Sequence, residues 1–172
     1  MGECDRIYLK PIAAEHTKLI VRWRNNENVY HNFIFSEPFT EAMHQNWLES
    51  QVKTGQVAQF IIYVKESDIP IGSVYFRDID YKAGVAEYGI FIGEDDYIGK
   101  GYGTEAAVLA LQYAFETMTL QKVFVRVFAD NIADVRSYDK VGFEQTDYRE
   151  HAVEKDGIMR DLIFMSCRRQ IN

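Results

Sequence analysis

The sequence predicts an α+β fold built on a mixed, mostly antiparallel sheet, with the element order β-α-α-β-β-β-α-β-α-β-β. Three observations predict it. The helical spacing of apolar residues in the first 56 positions gives way at Val57 to strand-like patterns. Short polar connections at residues 80–84 and 155–157 join consecutive strands as hairpins. A helix that follows a glycine-rich segment lies between two strands, which a right-handed crossover joins in parallel.

The N-terminal third predicts one strand and two helices. Residues 6–12 form a short strand ended by Pro11, and residues 14–26 form a helix. A second helix begins near Thr40, whose Thr-x-x-His spacing partly resembles a capping box, and Gly55 ends it. The apolar faces of these helices consist of Leu19, Ile20 and Trp23 and of Met43, Trp47 and Leu48.

The rest of the chain predicts six strands and two helices. The strands span residues 57–65, 71–79, 85–92, 122–129, 143–153 and 158–167. The first of these is almost continuously apolar, which is typical of a strand covered on both faces, and residues 67–70 form the turn after it. Ala107, Leu111, Ala114 and Phe115 recur at helical spacing, and Asn131 caps a short helix that Gly142 ends.

Composition narrows the possible functions. The 172 residues predict one domain, residues 1–172, and 47% hydrophobic residues predict a well-packed core. The net charge of −7 and the absence of a Lys/Arg stripe argue against a nucleic-acid partner. No apolar run is long enough for a membrane span and no signal peptide is present, so we expect a soluble, cytoplasmic protein. Cys4 and Cys167 have no metal-binding spacing, so we expect free thiols and no metal site.

A glycine-rich segment, Gly99-Lys100-Gly101-Tyr102-Gly103-Thr104-Glu105-Ala106, enters a predicted helix directly. Glycines with positive φ and the free N–H groups of a helix N-terminus together form a site for a pyrophosphate. A dinucleotide fingerprint requires a third glycine where Thr104 stands, and the spacing of a P-loop is absent. Two interpretations of the segment remain: a turn without a ligand, and the acyl-CoA loop with the pattern [RQ]-x-x-G-x-[GA]. Gly101 and Gly103 fit this pattern, whereas Ile98 stands where it has Arg or Gln.

Three motifs in order resemble the GNAT N-acetyltransferases, in particular their RimJ/RimL-like branch. They are Ala86-Glu87-Tyr88-Gly89-Ile90 leading to the glycine-rich segment; Asn131 with Ser137-Tyr138 and Val141-Gly142-Phe143; and Tyr148-Arg149-Glu150 with Asp156-Gly157, Arg160-Asp161 and Met165. The resemblance implies a GNAT-like sheet with helices on both faces. It also implies that the strands 85–92 and 122–129 splay apart, and that acetyl-CoA lies in the V between them. The residues that the resemblance assigns to acetyl-CoA binding are Phe91, Ile92, Gly93, Gly99, Lys100, Gly101, Tyr102, Gly103, Thr104, Asn131 and Tyr138.

Acyl transfer to an amine requires loss of the amine's proton, donors for the oxyanion and a proton for the departing thiolate. By spacing alone Tyr138 is a core tyrosine, but its match to the family's tyrosine position makes it the candidate acid. Glu87 is the candidate base, and an ion pair with Arg77 or Arg126 is the alternative interpretation. His31, His44, His151 or a water could serve instead. Candidate acceptor contacts, which could equally be packing residues, are Arg22-Trp23-Arg24-Asn25-Asn26, His44 and Trp47.

The sequence therefore predicts an N-acetyltransferase that moves an acetyl group from acetyl-CoA to a primary amine. A small-molecule acceptor of the amino-sugar or polyamine type is favoured, and a monomer or homodimer is expected. A protein N-terminal acetyltransferase, which would act on ribosomal protein, and a catalytically silent acyl-CoA-binding module are the alternatives.

Overall fold

The computed structural model describes residues 6–35 and 37–171, so the predicted free thiol of Cys4 lies outside the described residues. The described strands are β1 (Ile7–Pro11), β2 (Ala58–Val64), β3 (Ile69–Asp80), β4 (Val85–Ile92), β5 (Lys122–Phe128), β6 (Glu144–Lys155) and β7 (Ile158–Arg168). The helices are α1 (Thr17–Asn25), α2 (Glu27–Tyr30), α3 (Glu41–Trp47), α4 (Tyr102–Gln112) and α5 (Ile132–Lys140). No helix of this described part is long and apolar enough to cross a membrane.

The strands form one sheet in the order β1-β2-β3-β4-β5-β7-β6. All neighbours are antiparallel except β4 and β5, whose parallel pairing extends only from Val85↔Lys122 to Glu87↔Phe124. Beyond Glu87 the two strands are not paired, which opens a gap in the middle of the sheet. The predicted mixed, mostly antiparallel sheet is confirmed.

Helices cover both faces of the sheet, because alternate strand residues supply apolar side chains to each side. On one face α4 and α5 pack on a core that includes Val74, Phe76, Ala86, Tyr88, Val123 and Val125. On the other face α1 and the segment after α3 pack on Ile61 and Phe91 through Ile20, Trp23, Val29 and Leu48. The helices on both faces that the resemblance implied are confirmed.

Local chemistry sets the ends of these elements. Thr40 Oγ1 accepts from the Met43 N–H at 3.2 Å and starts α3, and Asn131 Oδ1 accepts from the Asp134 N–H at 3.3 Å and starts α5. Asp156 and Gly157 both have positive φ, 51° and 78°, as the tight turn between β6 and β7 requires. The predicted caps and this hairpin are confirmed.

The structure differs from the sequence prediction at the start of the N-terminal helix, in a helix that was missed and at the start of β3. The N-terminal helix starts three residues later, at Thr17, because a 3-10 turn occupies Ala14–His16. The sequence analysis missed α2, which Asn26 caps by accepting from the Asn28 N–H. β3 already begins at Ile69, since a bulge at Ile71, opposite Ile62 and Tyr63 of β2, lets the strand run through Pro70.

Candidate active site

The gap between β4 and β5 opens into one continuous cleft of about 900 Å³. It reaches the glycine-rich segment on one face of the sheet and the space beneath α1 and α3 on the other. Its lining on the α4 and α5 side includes Gly99, Gly101, Gly103, Thr104, Asn131, Asp134, Ser137 and Tyr138. Its lining on the opposite side includes Arg24, Phe33, Phe39, His44, Trp47, Tyr75, Arg77, Glu87 and Arg126. We call the second part the acceptor chamber.

The glycine-rich segment has the backbone that anion binding requires. Gly99 and Gly101 have φ of 73° and 84°, a conformation that side chains disfavour, whereas Gly103 lies inside the first turn of α4. The first amide of α4 to bond back is that of Glu105, which donates to Gly101 O at 3.1 Å. The amides of Tyr102, Gly103 and Thr104 precede it, so they are the free donors of the helix N-terminus. The segment therefore fits a pyrophosphate.

Arg6 holds this segment in place, and the sequence analysis missed it. Its Nε donates to Glu105 Oε2 at 2.6 Å, its Nη1 donates to Lys100 O at 3.1 Å, and its guanidinium lies 4.2 Å from the centre of the Tyr102 ring. Arg6 lies one residue before β1, about a hundred positions away in sequence, so no local pattern could reveal these contacts.

The open edge of β4 determines which backbone groups face the cleft. Gly93 donates its N–H to Ile71 O at 2.8 Å, so this residue hydrogen-bonds to β3. Strand alternation gives Phe91 the same orientation and turns the peptide groups of Ile90 and Ile92 toward the gap. The Phe91 side chain packs edge-on against Trp23, with ring centres 6.2 Å apart. Of Phe91, Ile92 and Gly93, which the resemblance assigns to acetyl-CoA binding, Ile92 has its backbone groups on the open edge.

Tyr138 lies at the base of the gap on α5. Its side chain is buried, with the centre of its ring 6.3 Å from that of Tyr88 and 5.4 Å from that of Phe143. Burial, reinforced by the charge of Asp134, raises the pKa of Tyr138 well above that of free tyrosine. The phenol therefore keeps its proton at neutral pH. Next to it, the hydroxyls of Ser137 and Thr104 lie 2.9 Å apart and link α5 to the start of α4.

Glu87 is the last residue of β4 that pairs with β5, and it is buried and ion-paired. Arg126 Nε donates to its Oε1 at 2.7 Å and Arg126 Nη2 to its Oε2 at 3.3 Å. Arg77 Nε lies 3.9 Å from the same carboxylate, because the β3 and β4 register places Arg77 opposite Glu87. The structure thus places both predicted ion-pair partners beside this carboxylate, within the cleft.

The predicted acceptor contacts separate into two groups. Arg24, His44 and Trp47 line the cleft, whereas Arg22 pairs with Glu94 outside it. Trp23 is completely buried and donates to Glu94 Oε1 at 2.8 Å. Asn25 and Asn26 bond to Phe39 and to Asp95. His31 and His151, the other histidines considered as bases, are exposed.

His44 is a buried, neutral histidine in the chamber wall. Its Nδ1 lies 2.8 Å from Thr17 Oγ1, and its Nε2 is buried without a hydrogen-bond partner among the described residues. Burial, followed by the charges of Arg24 and His16, lowers its pKa to about 4. His44 is therefore uncharged at neutral pH.

The chain matches a family model for the acetyltransferase (GNAT) domain over residues 6–144. It belongs to the GNAT family. It is 25% identical to the uncharacterized N-acetyltransferase p20 of Bacillus licheniformis, over 91% of this chain and 84% of that protein. It is 26% identical to spermidine N(1)-acetyltransferase of Escherichia coli K12, over 96% and 87% respectively. It is 29% identical to alpha/beta-tubulin-N-acetyltransferase 9 of Drosophila melanogaster, over 82% and 76%.

Solved GNAT structures show the same fold. Spermidine N-acetyltransferase from Vibrio cholerae in complex with CoA and spermine superposes with a TM-score of 0.88, at 21% identity and over 95% of each chain. A dodecameric structure of that enzyme matches with a TM-score of 0.82, at 21% identity, over 95% of this chain and 94% of the other. The chain is thus an acetyltransferase of the GNAT family that uses acetyl-CoA as donor, and the predictions of fold, family, enzyme class and donor are confirmed.

Proposed function

We propose that this GNAT enzyme, a single-domain member of the RimJ/RimL-like branch, acetylates the primary amine of a small molecule. The observation that carries the proposal is the continuous cleft, which joins the glycine-rich segment to the acceptor chamber through the gap in the sheet. Side chains from α1 and the loop before α3 line the chamber, and Asn25 holds that loop through two bonds to the Phe39 backbone, at 2.7 and 2.9 Å. A loop that is held in place over the chamber suits a small acceptor better than a polypeptide.

The donor-binding residues are those of the predicted set. Gly99 and Gly101 shape the turn, the amides of Tyr102, Gly103 and Thr104 receive the pyrophosphate, and Lys100 adds a positive charge. Along β4, Ile92 offers backbone groups on the open edge, and Phe91 and Gly93 hold that strand in place. At the other side of the gap Asn131, which donates to Asp134 Oδ2 at 2.7 Å, fixes the start of α5 and hence Tyr138.

Tyr138 is proposed as the acid. Acetyl-CoA supplies a thioester whose sulfur needs a proton as it departs, and a buried phenol that stays protonated can give one. Tyr138 lines the cleft beside the gap, and the contact of Ser137 with Thr104 holds its helix against the start of α4, where the donor is proposed to bind. This position supports the role.

Glu87 is proposed as the base, acting through a water. Both of its carboxylate oxygens already accept hydrogen bonds from Arg126, so direct contact with the ammonium would require breaking one of them. A water held against Glu87 at the opening of the gap can pass the amine's proton to this carboxylate, whose oxygens can keep their hydrogen bonds from Arg126 when it is protonated.

The relatives named spermidine acetyltransferases support a polyamine-type acceptor, and an amino sugar is the second type to test. The tubulin acetyltransferase relatives make a protein acceptor the competing case. We further propose a monomer or homodimer, which light scattering measures directly and which a larger assembly would contradict.

The test is a CoA-release assay with acetyl-CoA and a panel of polyamines, amino sugars, amino acids and N-terminal peptides. We expect release with at least one small amine and none above the uncatalysed rate with peptides. Turnover confined to peptides would contradict the small-molecule proposal. Binding of acetyl-CoA without turnover of any acceptor would contradict both a small-molecule acceptor and a protein acceptor.

A further inference from the structure

The acceptor chamber contains three arginines and one carboxylate among the described residues that line it. Arg24, Arg77 and Arg126 come from α1, β3 and β5, and Glu87 faces them from β4. The other carboxylate of the cleft, Asp134, lies on α5 across the gap. Glu87 is paired with Arg126, and Arg77 Nε donates to Asp78 Oδ2 at 3.2 Å, so the excess positive charge of the chamber lies on Arg24. This excess is unexpected in a protein whose net charge is −7.

Arg24 is the least neutralised of the three. It forms no ion pair or hydrogen bond to another residue in the described chain; instead its guanidinium stacks 3.8 Å from the centre of the Phe33 ring and 4.3 Å from that of Phe39. Burial lowers its pKa to about 10, so it is still charged at neutral pH. A partly buried charge without a partner is costly, and contact with two rings restricts the guanidinium while its N–H groups have no partner in the described chain.

Arg77 and Arg126 act on the same small region of the chamber. Desolvation raises the pKa of the partly buried Tyr75, whereas the charges of Arg24, Arg77 and Arg126 act against that rise. Tyr75 lies across β4, because a Cβ on Gly89 would stand 2.1 Å from Tyr75 Cζ. The three arginines and Tyr75 therefore line the same part of the cleft, next to Glu87, where β4 leaves β5.

We propose that the acceptor carries an anionic group, a carboxylate or a phosphate, which Arg24 and Arg77 bind while its amine points into the gap. This inference rests on the proposed acetylation of a small primary amine, and it specifies the acceptor. Arg126 stays paired with Glu87, and Arg77 Nε stays paired with Asp78, so the guanidinium of Arg24 and the terminal N–H groups of Arg77 bind the anion. Attachment at the anion fixes the distance and direction of the amine toward the β4–β5 gap.

The same charges disfavour an acceptor that is cationic throughout. A polyamine would bring two or more ammonium groups beside Arg24, which has no carboxylate partner in the described chain, and like charges repel where solvent is partly excluded. The buried Nε2 of His44, which lacks a partner, gives a hydroxyl or amide of the acceptor a further polar contact in the chamber wall.

The experiment compares acceptors that differ only in the anionic group. Lysine is compared with 1,5-diaminopentane, and phosphoethanolamine with ethanolamine, each at saturating acetyl-CoA, with spermidine as the reference cation. We expect kcat/KM to be about 10- to 100-fold higher for at least one anionic member than for its partner, the range that charge-assisted hydrogen bonds give. The pair with the larger ratio identifies the group as carboxylate or phosphate.

Two variants assign the effect to the chamber. Arg24→Gln and Arg77→Gln should each raise KM for the anionic acceptor about tenfold or more. KM for the compound that lacks the anionic group, and kcat for both compounds, should change little. Lys18→Gln is the matched control, since it removes one positive charge from an exposed position of α1. It should leave every ratio unchanged.

Calorimetry on the CoA-saturated enzyme supplies a readout that does not depend on turnover. Tighter binding of the anionic member of either pair supports the inference even if that compound is a poor substrate. Equal binding of both members in both pairs, or efficient turnover of spermidine with none of the anionic compounds, overturns the inference and leaves the acetylation of a small amine intact. Release of CoA with no small amine at all would instead contradict the proposed function.

Discussion

Replacing Tyr138 with phenylalanine tests the proposed acid directly. Tyr138→Phe keeps the ring and its contacts with Tyr88 and Phe143 and removes the one proton that the side chain can give. General acid catalysis contributes about 10²–10⁴-fold, and a water can replace part of it. We therefore expect kcat to fall at least about tenfold, equivalent to about 1.4 kcal/mol of transition-state stabilisation. KM for acetyl-CoA should change little, because the lost interaction belongs to the transition state.

Tyr88→Phe is the matched control for this variant. Tyr88 is equally buried, but its hydroxyl has no hydrogen-bond partner among the described residues. Removing an unsatisfied buried hydroxyl should leave kcat unchanged and increase the free energy of unfolding by about 1–3 kcal/mol. Steady-state kinetics and thermal unfolding are measured on both variants. Normal kcat in Tyr138→Phe together with a lowered melting temperature would refute the reasoning and make Tyr138 a structural residue.

The pH profile provides a second check on Tyr138. Because burial raises the pKa of this phenol well above 10, the acid stays protonated through the accessible alkaline range. We expect that kcat shows no falling limb attributable to Tyr138 below about pH 10. An alkaline limb that is present in the wild-type enzyme and absent from Tyr138→Phe would contradict the raised pKa of Tyr138, because it would show that the acid loses its proton within this range.

Three further predictions concern the framework. Gly101→Val forces a β-branched residue to φ of 84°, with its Cβ 3.2 Å from Arg6, and should weaken CoA binding in calorimetry. Gly103→Ala is the control, because its Cβ would lie 3.9 Å from Ile90 and the variant should fold normally. Equal CoA affinity in Gly101→Val and wild type would refute the assignment of this segment. Gly89→Ala should lower the melting temperature by several degrees, since displacing Tyr75 costs about 1–3 kcal/mol. His44 has a pKa of about 4 in the folded protein and about 6.5 in the unfolded chain. As pH falls from 6.5 to 4, the unfolded chain binds the proton more readily, so the free energy of unfolding should fall by up to about 3 kcal/mol. Urea unfolding at these two pH values should show a smaller difference for His44→Asn, and an unchanged difference would contradict this.

Local chemistry made a large part of the fold predictable. Glycines that need positive φ at positions 99 and 101, the Asp156-Gly157 turn and the caps at Thr40 and Asn131 act over a few residues, and each lies where the sequence indicated. Hydrophobic periodicity identified the strands and the longer helices for the same reason. The four-residue α2 is too short to show a period, and the bulge that carries β3 through Pro70 depends on its partner strand, so both were missed.

The amino-acid sequence by itself determined the fold class, the order of the strands and the longer helices, and the family. Only the tertiary structure decided the charge of the acceptor chamber. Arg77 lies opposite Glu87 because of the β3–β4 register, and Arg126 reaches the same carboxylate from a strand that pairs with β4 for only three residues. Arg24 becomes a buried, unneutralised charge because the loop before α3 folds over it. Such contacts join residues dozens of positions apart, and their energies depend on register and burial, which no spacing along the chain records.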